Sequence, residues 1–332
     1  MDELRERPFV VYRRQWAVHP PEPAGIVEAL RDAGYEARGE RDDRPFSDPR
    51  EVAVVVSNAA WFPRLCAALR HSSPGERPLV ALWQSEPLPV PRASGLRRER
   101  LTARQLARMV VRRGAANDVY TNARAIQALA QARLPDVLAV ISGERAAYLR
   151  ERGIASHLVP LGYEPDLGRD LGVDRDVDVL LLGELTPRRR RVVRALRKRG
   201  VVVSAVGSWT DPALWGEDRT RLLNRVRIDL NVSRTPGSFP GLRFLLALAN
   251  GALPVSEPLL DPRPFVAGEH FVEARLAEMP AAIRHYLDRE EERRAVVARG
   301  RELVSGELTL ARSLSRLLEL LADASSATAS RR

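Results

Sequence analysis

Short apolar runs alternate along the chain with longer segments in which apolar residues recur at helical spacing. Runs of about four to eight apolar residues are typical of parallel strands that are buried on both faces of a sheet. The runs predict strands at Phe9–Tyr12, Glu51–Ser57, Leu79–Trp83, Asp118–Thr121, Val137–Ser142, Leu158–Pro160, Val177–Leu182, Val201–Val206 and Ile228–Val232, and a last strand ending at Ser256-Glu257. Their regular alternation with helical segments indicates doubly wound α/β domains.

The segments between the runs predict helices. These are Ala24–Ala33, Trp61–Arg70, Thr102–Arg113, Pro187–Arg199, Leu214–Asn224, Pro280–Leu287, Arg293–Leu303 and Thr309–Ala322. A polar linker at 162–168 separates two such alternating series. We therefore predict one Rossmann-like domain at 1–162, a second at 163–323, and a flexible tail of small and polar residues at 324–332.

Composition narrows the classes of function. The net charge is +10, but Lys198 is the only lysine and the arginines are scattered among carboxylates. Because the sequence contains no basic patch interleaved with aromatic residues, we expect no nucleic-acid partner. The single cysteine, Cys66, excludes an internal disulfide and a thiolate metal site. No run has the length of a membrane span or the pattern of a secretory signal, which predicts a cytoplasmic protein.

Residues 228–257 predict a strand, a loop rich in serine, glycine and proline, a helix and a second strand. Gly241 stands at the start of the helix, where backbone N–H groups have no partner within the helix and suit a phosphate. Ser238 adds a hydroxyl group and Arg243 adds a charge. Ligands of open α/β sheets bind at the carboxyl ends of parallel strands, so this loop is a candidate phosphate site. The alternative is a simple helix cap in front of a core helix.

A second candidate phosphate site is the strand-to-helix turn at 183–191. Thr186 suits the N-cap and Pro187 suits the first helical position. Four arginines follow at once, at the helix end where the macrodipole disfavours cations, and a bound anion would offset that repulsion. Arg188 and Arg191 share one face, so the four cannot all contact one ligand. The turn is either a diphosphate clamp or a solvated basic face.

These segments resemble the donor half of the glycosyltransferases with the GT-B fold, including the group 1 and CgeB-like families. The stretch from Arg243 to Glu257, which ends in L-A-N-G-A-L-P-V-S-E, resembles the signature of their second domain. Residues 177–190 resemble the first strand and turn of that domain. Residues 157–165 resemble the linker between the two domains, and 268–272 resemble the end of the second one. The resemblance extends over residues 118–320.

The resemblance implies two Rossmann-like doubly wound domains that face a central cleft, the first for the acceptor and the second for the donor. It implies a hexosyltransferase that moves a sugar from a nucleotide-diphosphate sugar to an acceptor hydroxyl, with the anomeric outcome open. The donor would be bound by Gly183, Thr186, Arg188, Trp209, Arg234, Ser238, Gly241, Leu242, Arg243 and Glu257. The acceptor would be a glycan, a lipid-linked compound or a small molecule, and a lipid-linked acceptor would favour peripheral contact with an anionic membrane.

Two of the predicted donor-binding residues, Glu257 and Trp209, have alternative interpretations. Many retaining GT-B enzymes have a glutamate inside the helix that follows the phosphate loop, and here Leu246 occupies that place. Ribose binding by Glu257 would then be a variant solution, and otherwise Glu257 caps a turn at the end of its strand. Trp209 is positioned to stack on the nucleotide base, or else it is a packing residue.

The first domain supplies the candidate catalytic groups. His19 lies in the loop after the first predicted strand, and its ordinary pKa suits a general base near neutral pH. Glu86 follows the third predicted strand and is the other candidate base. Asn58 and Trp83 lie beside them at strand ends, where polar and aromatic groups suit a sugar.

No metal or cofactor is expected. The D-x-D spacing of Asp174 and Asp176 precedes the first strand of the second domain, where we interpret it as linker charge. No other cluster has the spacing of metal ligands, so charge on the leaving diphosphate would be met by arginines and helix N-termini. Two alternatives remain open. These are a GT-B-like module that binds a nucleotide or glycan without turnover, and a nucleotide-sugar epimerase.

Overall fold

The structure is a computed structural model. It describes residues 2–13, 24–73, 75–96, 103, 107, 118–207, 211, 214–239 and 241–329. Contacts between Cα atoms divide the described chain into two compact units. The first holds the described residues up to Pro160 together with the last helix, and the second runs from Leu161 to Thr309.

The first unit is built on a parallel six-stranded sheet with the order β2-β1-β3-β4-β5-β6. Its strands are β1 (Phe9–Tyr12), β2 (Ala37–Glu40), β3 (Val52–Ser57), β4 (Leu79–Gln84), β5 (Val137–Val140) and β6 (His157–Leu158). Its helices are α1 (Asp2–Arg5), α2 (Ala24–Asp32), α3 (Pro63–His71), α4 (Asp118–Gln131), α5 (Gly143–Arg150) and α11 (Leu310–Ala329). The central strands β3 and β4 are buried almost throughout, as expected for a sheet covered on both faces.

The second unit repeats the pattern with a parallel five-stranded sheet in the order β11-β10-β9-β7-β8. Its strands are β7 (Val177–Leu182), β8 (Ser204–Val206), β9 (Val226–Asn231), β10 (Leu253–Ser256) and β11 (Val272–Glu273). Its helices are α6 (Pro187–Lys198), α7 (Gly216–Asn224), α8 (Leu242–Ala249), α9 (Met279–Asp288) and α10 (Glu290–Glu302). The chain places β8 on one side of β7 and β9 on the other. The carboxyl ends of β7 and β9 therefore form the topological switch point, where open α/β sheets bind ligands.

The predicted strand at Asp118–Thr121 is wrong, because these residues begin helix α4. The tripeptide Val119-Tyr-Thr favours a strand locally. Over the longer segment the buried residues recur at helical spacing, namely Val119, Asn122, Ala123, Ile126 and Leu129. Tertiary burial of that stripe decides the conformation.

The last helix is longer than the sequence predicts and belongs to the first unit. Helix α11 extends to Ala329, through most of the segment 324–332 that was expected to be a tail. Its apolar side contacts α2, β4 and β5. The structural division therefore differs from the predicted domains 1–162 and 163–323 at this helix, which returns to the first sheet because its buried leucines need that cover. In the described residues, no helix combines the length and the apolar character needed to cross a membrane.

Candidate functional site

The carboxyl ends of β7 and β9 hold a cluster of arginines around a glycine. Gly183 directly follows β7 and has φ = +111°, a backbone conformation that side chains rarely adopt. A Cβ atom at this position would lie 3.2 Å from Nη1 of Arg189 and 3.2 Å from Nη2 of Arg243. Gly207, after β8, packs so closely on the Gly183 backbone that a Cβ there would overlap it. Gly183 thus lets two guanidinium groups approach the main chain, and Gly207 lets the chain after β8 pack against Gly183.

Arg189 is almost fully buried, with 2% of its surface exposed. Its Nε donates to the carbonyl oxygen of Val232 at 2.7 Å and its Nη1 donates to that of Glu184 at 2.9 Å. Burial, together with the nearby charges of Arg243 and Arg234, lowers the pKa of Arg189 to about 9. The side chain is therefore a desolvated cation held by backbone carbonyls rather than by a carboxylate.

Arg243 reaches the same place from the first turn of α8. Its Nη1 donates to Oδ1 of Asn231 at 3.2 Å, and Asn231 in turn donates to the hydroxyl of Ser256 at 2.8 Å. Burial and the charge of Arg234 lower the pKa of Arg243, whereas Asp229 raises it. Arg243 is thus held by an amide, with its charge only partly balanced.

Asp229 is the nearby buried carboxylate, two residues before Asn231 on β9. It is 2% exposed, and its Oδ1 has no hydrogen-bond partner among the residues that the structure describes. Burial raises the pKa of Asp229 to about 7, against the opposing effect of Arg243 and Arg189. Around neutral pH this carboxyl is therefore only partly ionised, and it neutralises the arginine cluster incompletely.

Asp229→Asn should stabilise the protein in a pH-dependent way. The folded state retains the Asp229 proton between the ordinary aspartate pKa and about pH 7, so stability falls as pH rises through that range. Asparagine does not titrate, so the variant does not lose this stability as the pH rises. The gain in the free energy of unfolding should be about 2–3 kcal/mol larger at pH 8 than at pH 5, at about 1.36 kcal/mol per pKa unit. Urea denaturation at the two pH values measures it, and an equal gain at both would contradict the raised pKa.

Arg188 and Glu257 are bound to each other beside the cluster. Nη1 of Arg188 donates to Oε1 of Glu257 at 2.8 Å, and Nη2 donates to Oε2. Nη1 also donates to the carbonyl oxygen of Ser233 at 2.8 Å, while the Ser233 N–H donates to Oε1 of Glu257 at 2.8 Å. The pair therefore ties the start of α6 to the loop after β9 and to the end of β10. In this arrangement Glu257 uses both carboxylate oxygens within the protein.

The remaining predicted donor residues lie on the same two loops. Thr186 is the N-cap of α6, and its hydroxyl accepts from the Arg189 N–H at 3.4 Å. The Ser238 carbonyl oxygen accepts from the hydroxyl of Ser233 at 2.7 Å, which closes the loop after β9. Gly241 has φ = +54° and precedes α8, which begins at Leu242 and has no side-chain cap. Arg234 lies in the same loop, close enough to lower the pKa of Arg189 and Arg243.

Two predicted site residues, His19 and Trp209, lie outside the described residues. Glu86 follows β4 in the first unit, on a tightly held backbone. The carbonyl oxygen of Ser57 accepts from the N–H groups of Ser85 at 3.2 Å and Glu86 at 3.3 Å. The Glu86 carbonyl oxygen accepts from Nε of Arg145 at 3.2 Å and from the amide of Gln84 at 3.1 Å. This network fixes the backbone from which the Glu86 carboxylate projects.

Asn58 and Trp83, which the sequence placed beside Glu86 as acceptor contacts, are structural residues. Asn58 is buried, caps a short 3₁₀ helix through the Ala60 N–H at 2.8 Å, and donates to Asn122. Trp83 is fully buried, and its indole N–H donates to the carbonyl oxygen of Val159 at 2.9 Å. Their positions near strand ends suggested a sugar platform, but burial in the sheet removes both from solvent.

The D-x-D segment forms surface ion pairs. Both carboxylate oxygens of Asp176 accept from Arg225, at 2.8 and 2.6 Å, and Asp178 accepts from Arg227 at 2.7 Å. Across the described residues, no group of three or more His, Cys, Asp or Glu side chains has the arrangement of a metal site.

Arg189 and Asp229 are members of the cluster that the sequence analysis did not select. Arg189 belongs to the buried stripe of α6 with Val192, Val193 and Leu196. Arg189 is the one cation in a set of residues spaced i, i+3, i+4 and i+7 whose other members are apolar. This pattern could have identified it as a buried residue. Asp229 gave a similar signal, as a carboxylate between the apolar residues Ile228 and Leu230 of a predicted buried strand.

The arrangement has the chemistry of an anion site. Arg189, Arg243 and Arg234 bring three cations close together, with the partly ionised Asp229 beneath them and Glu257 bound to Arg188. Cations that lie close together in a desolvated site repel each other strongly unless an anion binds between them. The site lies at the switch point and at the start of α8, both of which favour a phosphate. It can therefore bind a diphosphate and stabilise charge that develops on it.

Comparison with known protein families agrees with this geometry. Residues 188–319 match the family model of glycosyl transferase-like proteins. The match spans the start of α6, the loop after β9, α8 and β10, and thus most of the arginine cluster. This part of the chain is therefore similar to glycosyl transferase-like proteins.

Solved structures show the same fold. The Anabaena protein HepE in complex with UDP and glucose aligns with a TM-score of 0.62 and 11% identity, over 96% of this chain and 100% of that one. Sucrose-phosphate synthase from Thermosynechococcus elongatus aligns with a TM-score of 0.59 and 13% identity, over 96% and 100%. TarM aligns with a TM-score of 0.55 and 12% identity, over 89% of this chain. The prediction of two Rossmann-like GT-B domains is confirmed.

The chain spans 57% of the TarM chain. No significant match is found among curated protein sequences.

Proposed function

We propose that the protein is a glycosyltransferase that moves a sugar from a nucleotide-diphosphate sugar to an acceptor hydroxyl. The observation that carries this proposal is the convergence of the buried Arg189 and the half-buried Arg243 on Gly183. The glycosyl transferase-like match over residues 188–319 and the GT-B fold support it. HepE, a structural neighbour, was solved in complex with UDP and glucose, which supports a nucleotide-sugar donor.

In this mechanism the arginines act on the leaving diphosphate. Breaking the bond between the sugar and the β-phosphate transfers negative charge to the phosphate oxygens. Arg189 and Arg243 are already desolvated and oriented by carbonyl and amide oxygens, so they stabilise that charge without reorganising. The N–H groups at the start of α8 add their dipoles, with Gly241 allowing close approach of the backbone.

In the proposal, Arg188 and Glu257 act as a bridge between elements of the donor site, rather than as direct contacts of the diphosphate and the ribose. Their ion pair joins three elements around the diphosphate position. Glu257 either keeps this bridging role or exchanges Arg188 for the ribose hydroxyls when the donor binds. Trp209 remains the candidate for the nucleotide base.

The acceptor side belongs to the predicted domain 1–162, with His19 or Glu86 as the group that takes the acceptor proton. The acceptor is a glycan, a lipid-linked compound or a small molecule. The proposal includes a cytoplasmic location, peripheral contact with an anionic membrane, and membership of the CgeB-like branch of these enzymes.

Transfer of the sugar is tested by incubating the protein with a panel of UDP-, GDP- and dTDP-sugars and measuring nucleotide release with and without candidate acceptors. Release of a diphosphate from one donor, increased by an acceptor, is the expected result. A non-catalytic nucleotide-binding module is the second candidate, favoured by Leu246, which is buried where many retaining enzymes have a glutamate. Diphosphate binding without any release would support that module instead.

Turnover should persist in EDTA. The proposal gives the neutralising charge to arginines, so a divalent cation has no role in stabilising the leaving group. The rate of nucleotide release in excess EDTA should equal the untreated rate. Loss of turnover that Mn²⁺ or Mg²⁺ restores would contradict this assignment.

A further inference from the structure

Helix α6 carries a row of unpaired cations that the donor site does not use. Arg188 and Arg189, in its first turn, belong to the arginine cluster. Six further cations are exposed along the helix and at its C-cap, namely Arg190, Arg191, Arg194, Arg197, Lys198 and Arg199. The helix contains no acidic residue.

Three of these six cations form hydrogen bonds to backbone carbonyls. Arg194 donates to the carbonyl oxygen of Arg190 at 3.4 Å, Arg197 to that of Val203 at 2.7 Å, and Arg199 to that of Ala277 at 2.8 Å. Within the part of the chain that the structure describes, none of the six forms an ion pair with a carboxylate.

Other exposed arginines of this protein differ in this respect. Arg225 pairs with Asp176 at 2.6 Å and Arg316 pairs with Glu319 at 2.7 Å. A general excess of arginine in the chain would not explain why the cations of this helix lack carboxylate partners while those on other surfaces have them. Five of the six cations lie on two rows of exposed positions along α6, at i, i+4 and i+8 spacing. The first row is Arg190, Arg194 and Lys198, and the second is Arg191 and Arg199 with Ala195 between them.

The second row forms one edge of an apolar groove of about 360 Å³. The groove is lined by Val192, Ala195, Leu196, Leu276, Ala277 and Pro280, with Arg191 and Arg199 at its rim. Leu276 is 40% exposed, and Val202, just beyond the end of α6, is 76% exposed. The surface thus combines exposed aliphatic side chains with exposed cationic groups, which is the pattern of elements that lie on an anionic membrane.

We propose that the exposed face of α6, with the adjoining groove, is a docking surface for an anionic phospholipid membrane. This inference rests on the membrane contact in the proposed function and names the surface that makes it. The charge complementarity is direct, because lipid phosphates meet guanidinium groups and the groove accepts apolar parts of the lipid. Nucleic acid fits the cations but not the groove, which has no aromatic lining residue among those described. Since α6 begins at the arginine cluster, docking would hold the donor site close to the bilayer.

The test compares vesicle binding by the full chain and two triple variants. Arg190→Ala, Arg194→Ala and Lys198→Ala together remove one row, and alanine preserves the helix. Arg124→Ala, Arg150→Ala and Arg221→Ala remove the same charge from other exposed sites. Cosedimentation uses vesicles of phosphatidylcholine alone and of phosphatidylcholine with an equal amount of phosphatidylglycerol.

We expect the wild type to bind the phosphatidylglycerol vesicles and not the pure phosphatidylcholine ones. The α6 triple variant should bind on the order of 100-fold more weakly, at about tenfold or less per cation, while the control triple variant binds nearly as the wild type does. Leu276→Ser should weaken vesicle binding about fivefold through lost apolar contact. Salt at about 0.5 M should weaken binding of the wild type strongly.

The proposal is overturned if both kinds of vesicle bind equally, if neither binds, or if the α6 triple variant binds as the wild type does. Retention of a single-stranded RNA by the wild type but not by the α6 variant, with vesicle binding unchanged, would assign the surface to nucleic acid instead. Thermal stabilisation by UDP, GDP and dTDP, measured on the same variants, reports on the donor site separately. Its absence with all three nucleotides would count against the transferase proposal and leave the vesicle result standing.

Discussion

Arg243→Ala should lower turnover by about 10²–10³-fold, as expected for loss of a preorganised donor to a developing oxyanion. The side chain lies beside Gly183 and is oriented by Asn231 at 3.2 Å, so no other group takes its place when it is removed. Affinity for the nucleoside diphosphate should fall by about 1.5–3 kcal/mol, the range of a charge-assisted hydrogen bond. Initial rates of nucleotide release and calorimetric titration of the diphosphate measure the two effects.

Arg227→Ala is the matched control for this prediction. Arg227 lies on β9, as Asp229 does, but its side chain is exposed and paired with Asp178 at 2.7 Å. It should leave both turnover and diphosphate affinity near those of the wild type, since exposed ion pairs contribute little. Equal diphosphate affinities of the Arg243 variant and the wild type would remove Arg243 from the donor site.

Glu86→Ala or His19→Ala should lower turnover by about 10²–10⁴-fold while diphosphate affinity stays unchanged. A general base must project from a fixed position, and the Glu86 backbone is fixed by bonds from Arg145 and Gln84. Single-turnover measurements at saturating donor separate this loss from weakened binding. Loss in one variant identifies the base.

Glu86→Gln distinguishes a base from a hydrogen-bonding contact. Glutamine keeps the shape and can still bind an acceptor hydroxyl, but it cannot take up a proton at neutral pH. Turnover as low as in the alanine variant indicates proton transfer, and near-complete recovery indicates acceptor binding. Near-normal turnover in both alanine variants would contradict both assignments and favour a mechanism in which the leaving phosphate takes the proton.

The fold follows closely from the sequence because its strands are buried on both faces. Continuous apolar runs such as Val52–Ser57 and Leu79–Gln84 leave little ambiguity in a parallel sheet. The predicted and observed elements differ where local preference and burial disagree, as at 118–121, where a helix forms. The prediction also misses the short edge strand Ala37–Glu40, since Arg38 and Glu40 face away from the core and interrupt the apolar pattern.

The site is predicted in its location but only partly in its members. Glycine and arginine near strand ends identify the loops, because those positions suit phosphate wherever the sheet is parallel. Sequence alone does not show that Arg189 turns inward, that Asp229 lies beneath it, or that Arg188 and Glu257 bind each other. These facts depend on which face of α6 is buried and on the approach of strands that are distant in the chain.

Calorimetric titration of nucleoside mono- and diphosphates into the wild type and into Arg243→Ala, in the presence of EDTA, tests the central claim most directly. We expect one nucleoside diphosphate to bind more tightly than its monophosphate, and the Arg243 variant to lose most of that difference. At about 100 times its dissociation constant the diphosphate should also stabilise the wild type by about 2.7 kcal/mol. If no diphosphate binds, or if mono- and diphosphate bind both proteins alike, then the arginine cluster is not a diphosphate site.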